Sequence, residues 1–129
     1  LIDSQFVVVE SLTDLEIATA HQIAEAIARY ARDKEAVTHY PEAEALTLMN
    51  RSDLSAREVL LDERAARMVA QERGIPVIGF AGILVRAHWQ GLSSAEAVRD
   101  ALTVCPQQGT HYSKRFIDEV YRRLKEGVP

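Results

Sequence analysis

The stretch REVLLDERAARMVAQERGIPVIGFAGIL (Arg57–Leu84) holds an apolar run, Val59 to Leu61, that stops at two adjacent carboxylates, Asp62 and Glu63. So short an apolar run reads as a buried strand. From Asp62 to Arg73 the pattern is helical, with Ala65, Ala66, Val69 and Ala70 as a small-residue packing face. Gly74 ends that helix in the left-handed conformation. Ile75-Pro76-Val77-Ile78 then reads as another strand, and Pro76 places it at a sheet edge. Strands alternating with helices argue for a parallel sheet with crossover connections. In such sheets ligands gather beyond the carboxyl ends of the strands, which is where Asp62 and Glu63 stand. Acids also stabilise a helix start, by about 0.3–1 kcal/mol. Spacing alone leaves a structural and a functional role equally open.

Working outward, Phe6 to Val9 is aromatic and β-branched and reads as a buried strand. Thr13-Asp-Leu-Glu16 has capping-box form and predicts a long helix over about 14–34. Ile17, Ala20, Ala24, Ile27 and Ala31 recur on one face of it, up to the charge run Arg32 to Glu35. Pro41 suits the first turn of a second helix running to about Met49. Gly79 turns the chain into a helix over about 81–90, closed by Gly91, and further helices are predicted near 94–102 and 112–125. The expected fold class is therefore α/β: a three-layer sandwich with a short parallel sheet between helices, in one domain spanning residues 1–129.

At 129 residues the chain can bury a core without staples. A net charge of −4 gives no global attraction to nucleic acid, so phosphate binding needs a local basic patch or metal ions. Cys105 is the single cysteine, which excludes an intramolecular disulfide and a four-cysteine zinc site and suits a reducing compartment. No apolar run approaches the roughly 20 residues that span a bilayer, so no membrane partner is expected. The first residues lack a signal-peptide layout, and a cytoplasmic location is the expectation. A start at Leu1 that moves at once into FVVVE hints at a longer parent chain.

The run PEAEALTLM (Pro41–Met49), then VLLDERAARMVAQERGIPVIGFAGILVRA, then HWQGL (His88–Leu92), resembles the C-terminal half of PIN-domain-like proteins. These are predicted nucleic-acid-binding proteins related to the toxin nucleases of toxin–antitoxin pairs. The matching residues are Glu42, Glu44 and Ala45, then Asp62, Glu63, Ala66 and Arg67, then Gly74, Gly79, Gly82 and Leu84, over residues 41–92. The chain departs from the family in two places. Pro41 stands where the family has Gly, and nothing in residues 1–35 matches the family's first strand with its essential Asp. Asp3 has no apolar strand before it, and Phe6 to Val9 looks like the third strand of a domain lacking its first ones. Unless residues upstream of Leu1, another copy or a rearranged sheet fills the place of those strands, backbone groups stay unpaired.

The resemblance implies Mg²⁺- or Mn²⁺-dependent hydrolysis of RNA as an endoribonuclease, with a cognate antitoxin or a second copy as partner. Asp62 and Glu44 are then the catalytic candidates, and Asp62, Glu44, Glu42 and Glu63 the metal candidates. Such a hard cation is held by a few carboxylates and water. Glu42 and Glu44 diverge by about 200° on a regular helix, so both cannot face one ion directly. Glu63 either joins through water or pairs with Arg67 four residues on. Arg64, Arg67, Lys114 and Arg115 are the candidate contacts to RNA, although Asp118, Glu119 and Glu126 dilute the C-terminal basic run that Arg122, Arg123 and Lys125 continue. His21, His39, His88 and His111 share no metal-ligand spacing. Cys105 reads as a small buried residue, and Trp89 as packing rather than a base-stacking surface. The competing reading is a non-catalytic interaction or oligomerisation module with a degenerate acidic site.

Overall fold

The computed structural model describes residues 6–105 and 111–128. The chain divides into two compact units, residues 1–78 and 79–129. The fold is mixed α/β and mostly helical, with a short parallel sheet of two strands.

In the first unit, helix α1 (Asp14–Ala31) begins at the predicted capping box. The Thr13 hydroxyl accepts from the Glu16 N–H at 3.3 Å, and Glu16 accepts from the Thr13 N–H at 2.8 Å. Its buried stripe is Ala20, Ile23, Ala24, Ile27 and Ala28, whereas Ile17 and Ala31 are exposed. The helix stops short of residue 34 because Arg32 turns left-handed (φ 56°). Asp33 then accepts from the Glu35 N–H and the Thr38 hydroxyl, a local alternative to further helix.

After a 3₁₀ turn (Ala36–His39), helix α2 (Tyr40–Leu48) carries Pro41 in its first turn and buries Ala43, Leu46 and Thr47. Strand β1 (Val59–Leu60), helix α3 (Arg64–Glu72) and strand β2 (Val77–Ile78) follow. The strands are parallel, with Val59 beside Val77 and Leu60 beside Ile78. The Pro76 carbonyl accepts from the Val59 N–H at 2.9 Å, so the missing proline N–H takes nothing from this ladder. The core joins Ile23 and Ile27 of α1, Leu46 of α2, Val59 of β1, and Ala66 and Val69 of α3.

Phe6 to Val9 corrects the sequence reading. These residues form no strand, and they are 87%, 44%, 74% and 70% exposed. Strand propensity reflects packing against neighbouring strands, and the sheet of the described residues contains only β1 and β2. The segment just after it is held instead by Arg51. Its guanidinium forks onto Glu16 at 2.6 and 2.7 Å and reaches the Ser11 carbonyl and Glu10.

The second unit contains helices α4 (Phe80–Trp89), α5 (Ala95–Val104) and α6 (Lys114–Glu126). Gly91 and Gly127, both left-handed, follow α4 and α6. The Ser94 and Ser113 hydroxyls cap α5 and α6. Val98, Leu102, Ile117 and Leu124 form its core. Glu96 of α5 takes the Lys125 ammonium at 3.0 Å and the Tyr121 hydroxyl at 3.2 Å from α6. Among the described residues, no helix is long and apolar enough to cross a membrane.

Two outcomes follow from this packing. Ala66 is fully buried where α3 meets the core, so Ala66→Leu lowers unfolding stability by about 1–3 kcal/mol, seen as a reduced urea midpoint at unchanged slope. The Arg51 guanidinium, then the Thr13 N–H, hold the Glu16 carboxyl at about 2, well below its ordinary 4.5. A depressed carboxyl contributes stability that is complete above its unfolded pKa and is lost as pH falls through its folded one. The stability advantage of the native chain over Glu16→Gln is therefore constant above pH ~5 and shrinks between pH ~4.5 and ~2 in acid-unfolding curves.

Candidate functional site

The two acids that end β1 have separate positions. Glu63 is the N-cap of α3, and its two carboxylate oxygens accept from the Ala65 N–H at 2.9 Å and the Ala66 N–H at 2.7 Å. These are donors that a helix start leaves unsatisfied. The Arg67 N–H reaches the Glu63 backbone carbonyl at 3.1 Å, as helix geometry dictates, and no Glu63–Arg67 side-chain pair forms. Asp62, between the buried Leu61 and this cap, is exposed beyond the carboxyl end of β1.

Asp62 borders an open hollow of about 530 Å³. Arg64, Arg67, Met68 and Gln71 of α3 form one wall, with Ile75 and Val77 opposite. Those four α3 positions are spaced by three, one and three residues and share the outward face. The inward face, Ala65, Ala66, Val69 and Ala70, is buried. Arg64 and Arg67 thus line the same hollow as Asp62. Met68, Gln71, Ile75 and Val77 were missing from the expected set. The spacing of the buried alanines would have located the first two, while the last two needed the strand register.

The remaining candidates lie elsewhere. Glu42 and Glu44 are on α2, both half-buried, and neither lines the Asp62 hollow. One Glu42 oxygen is buried without a hydrogen-bond partner. Lys114 and Arg115 are in the second unit, beside a wide depression shared with Asp118, Glu119 and Arg122. Glu119 takes both Arg122 and Arg123 at 2.8 Å, which neutralises much of that basic run. His39 faces Asp33 at 3.3 Å, His21 packs on Tyr40, and His88 Nδ1 lies 3.0 Å from the Ser93 carbonyl. Cys105 is buried. Trp89 is 44% exposed and borders an apolar hollow with Val85 and Leu124.

A family model described as PIN domain matches residues 3–126. The chain belongs to the PIN-domain family. No curated protein and no solved structure matches it. The match extends on both sides of residues 41–92, where the PIN motifs of the sequence lie. Membership ties this PIN domain to nuclease and nucleic-acid-related function, in a family that generally uses divalent metals.

The fit of such an ion rests on the donors. Among the described residues, no group of three or more His, Cys, Asp or Glu side chains is placed to hold a metal. Glu63 already satisfies two helix N–H groups, and the orphaned Glu42 oxygen is a single donor. These side chains do not make a carboxylate cage. The capping geometry has a measurable consequence of its own: Glu63→Ala loses about 1 kcal/mol of unfolding stability, and Glu63→Asn, a good cap, loses less, as urea denaturation of the two variants reads directly.

Proposed function

We propose that this PIN domain binds single-stranded RNA at the carboxyl end of β1 and cleaves it as a metal-dependent endoribonuclease, with Asp62 as the essential acid. The observation that carries this reading is the grouping of Asp62 with Arg64 and Arg67 around one hollow at that end. Two guanidinium groups beside one carboxylate provide what a phosphodiester needs: planar donors for the non-bridging oxygens and an acceptor for a water or a hydrated cation. A Mg²⁺ or Mn²⁺ ion commonly takes only one or two protein carboxylates and completes its shell with water and substrate phosphate. Asp62 and Glu44 are the proposed catalytic acids, Glu42 and Glu63 the further metal candidates, and Lys114 and Arg115 separate candidate contacts to RNA in their own unit. A cytoplasmic, toxin-type component with a cognate antitoxin or a second copy as partner belongs to the same proposal.

A second reading is favoured by the lack of a convergent carboxylate group among the described residues: an interaction module that retains the fold without catalysis. One assay separates the two. With labelled single-stranded RNA and Mn²⁺, the first reading expects cleavage by the native chain and none by Asp62→Asn, with Glu44→Gln reduced at least tenfold. Cleavage that survives in Asp62→Asn overturns the assignment of Asp62. Binding without cleavage by the native chain supports the interaction module.

A further inference from the structure

The Asp62 hollow has neighbours that share its α3 residues. A second hollow, of about 310 Å³, is lined by the same Arg64 and Met68 and by Tyr30 and Ala31 at the end of α1. A third, of about 340 Å³, shares Tyr30 and reaches Arg29 and Glu72. From these shared walls we infer that α1 and α3 together form a track for single-stranded nucleic acid, with Tyr30 as a base-stacking subsite adjacent to the Asp62 end. The inference rests on the RNA-binding reading above and extends it to residues outside the PIN motifs.

Three features support it. The first is the state of the cations. Arg29, Arg64 and Arg67 are exposed and make no ion pair among the described residues, whereas Arg51 and Arg122 are held by carboxylates. Three guanidinium groups along one seam follow a phosphate backbone.

The second is Tyr30, 42% exposed, with its hydroxyl donated to Glu72 of α3. An aromatic ring tethered at its far end loses little freedom when a base stacks on it. Stacking on a side chain requires an unstacked base, which a single strand offers and a duplex does not.

The third is the state of the acids along the seam. Glu63 is engaged by two backbone N–H groups and Glu72 by the Tyr30 hydroxyl, so these carboxylate oxygens already hold donors of this chain.

The test is fluorescence anisotropy with 5′-labelled oligouridylate and oligothymidylate of equal length and a matched duplex, in EDTA so that cleavage does not intervene. Tyr30→Ala is expected to weaken single-strand binding by about fivefold or more. Tyr30→Phe, which keeps the ring, is expected to retain most of the affinity, and Arg29→Gln to flatten the salt dependence. Circular dichroism melts establish that each variant is folded. Similar binding of the two oligomers supports a general single-strand track, and preference for oligouridylate supports an RNA track. If native affinity is retained in both Tyr30→Ala and Arg29→Gln, or if duplex is preferred, the track is overturned while the Asp62 reading stands. If the native chain binds no strand, both fall.

Discussion

The burial of one face of α3 is the constraint on which the rest of the site depends. Ala65, Ala66, Val69 and Ala70 are all at or below 5% exposure, in a core shared with Ile23 and Ile27 of α1. Alanines at these positions allow the helix backbones to approach closely, and a helix whose inward face is fixed has no choice about its outward one. Arg64, Arg67, Met68 and Gln71 are therefore presented together beside β2. The cationic wall of the candidate site is the reverse side of the hydrophobic core.

The junction between β1 and α3 performs the second task. A strand that becomes a helix within three residues must satisfy its first N–H groups locally. Glu63 does this with both oxygens. Asp62, one residue earlier, is exposed and lines the hollow. The two acids that look equivalent in the sequence have different surroundings: one caps the helix, and the other lines the hollow beyond the carboxyl end of β1.

Much of this was legible in the chain because its causes are local. The Thr13–Glu16 capping box, Pro41 in a first turn, the left-handed Gly74 and Gly91, and the β1–α3–β2 order all depend on residues a few positions apart. What was not legible depends on distant partners. Phe6 to Val9 has every strand-like property except, among the described residues, a neighbouring strand. Arg51 meets Glu16 across 35 residues, and Tyr30 meets Glu72 across 42. Helical period separates Glu42 from Glu44, but nothing in the sequence shows that neither borders the Asp62 hollow. The PIN motifs reach Arg67 on α3 and do not reach the end of α1, which carries no motif.

The most direct measurement is a backbone amide NMR titration of the ¹⁵N-labelled chain with a short single-stranded RNA, in the absence of metal. Shifts concentrated at residues 62–71, with companion shifts near Tyr30, are the result predicted for RNA bound along α3. Shifts centred on Lys114 to Arg122, or none at saturating RNA, would contradict the claim that the outer face of α3 is the nucleic-acid surface of this PIN domain.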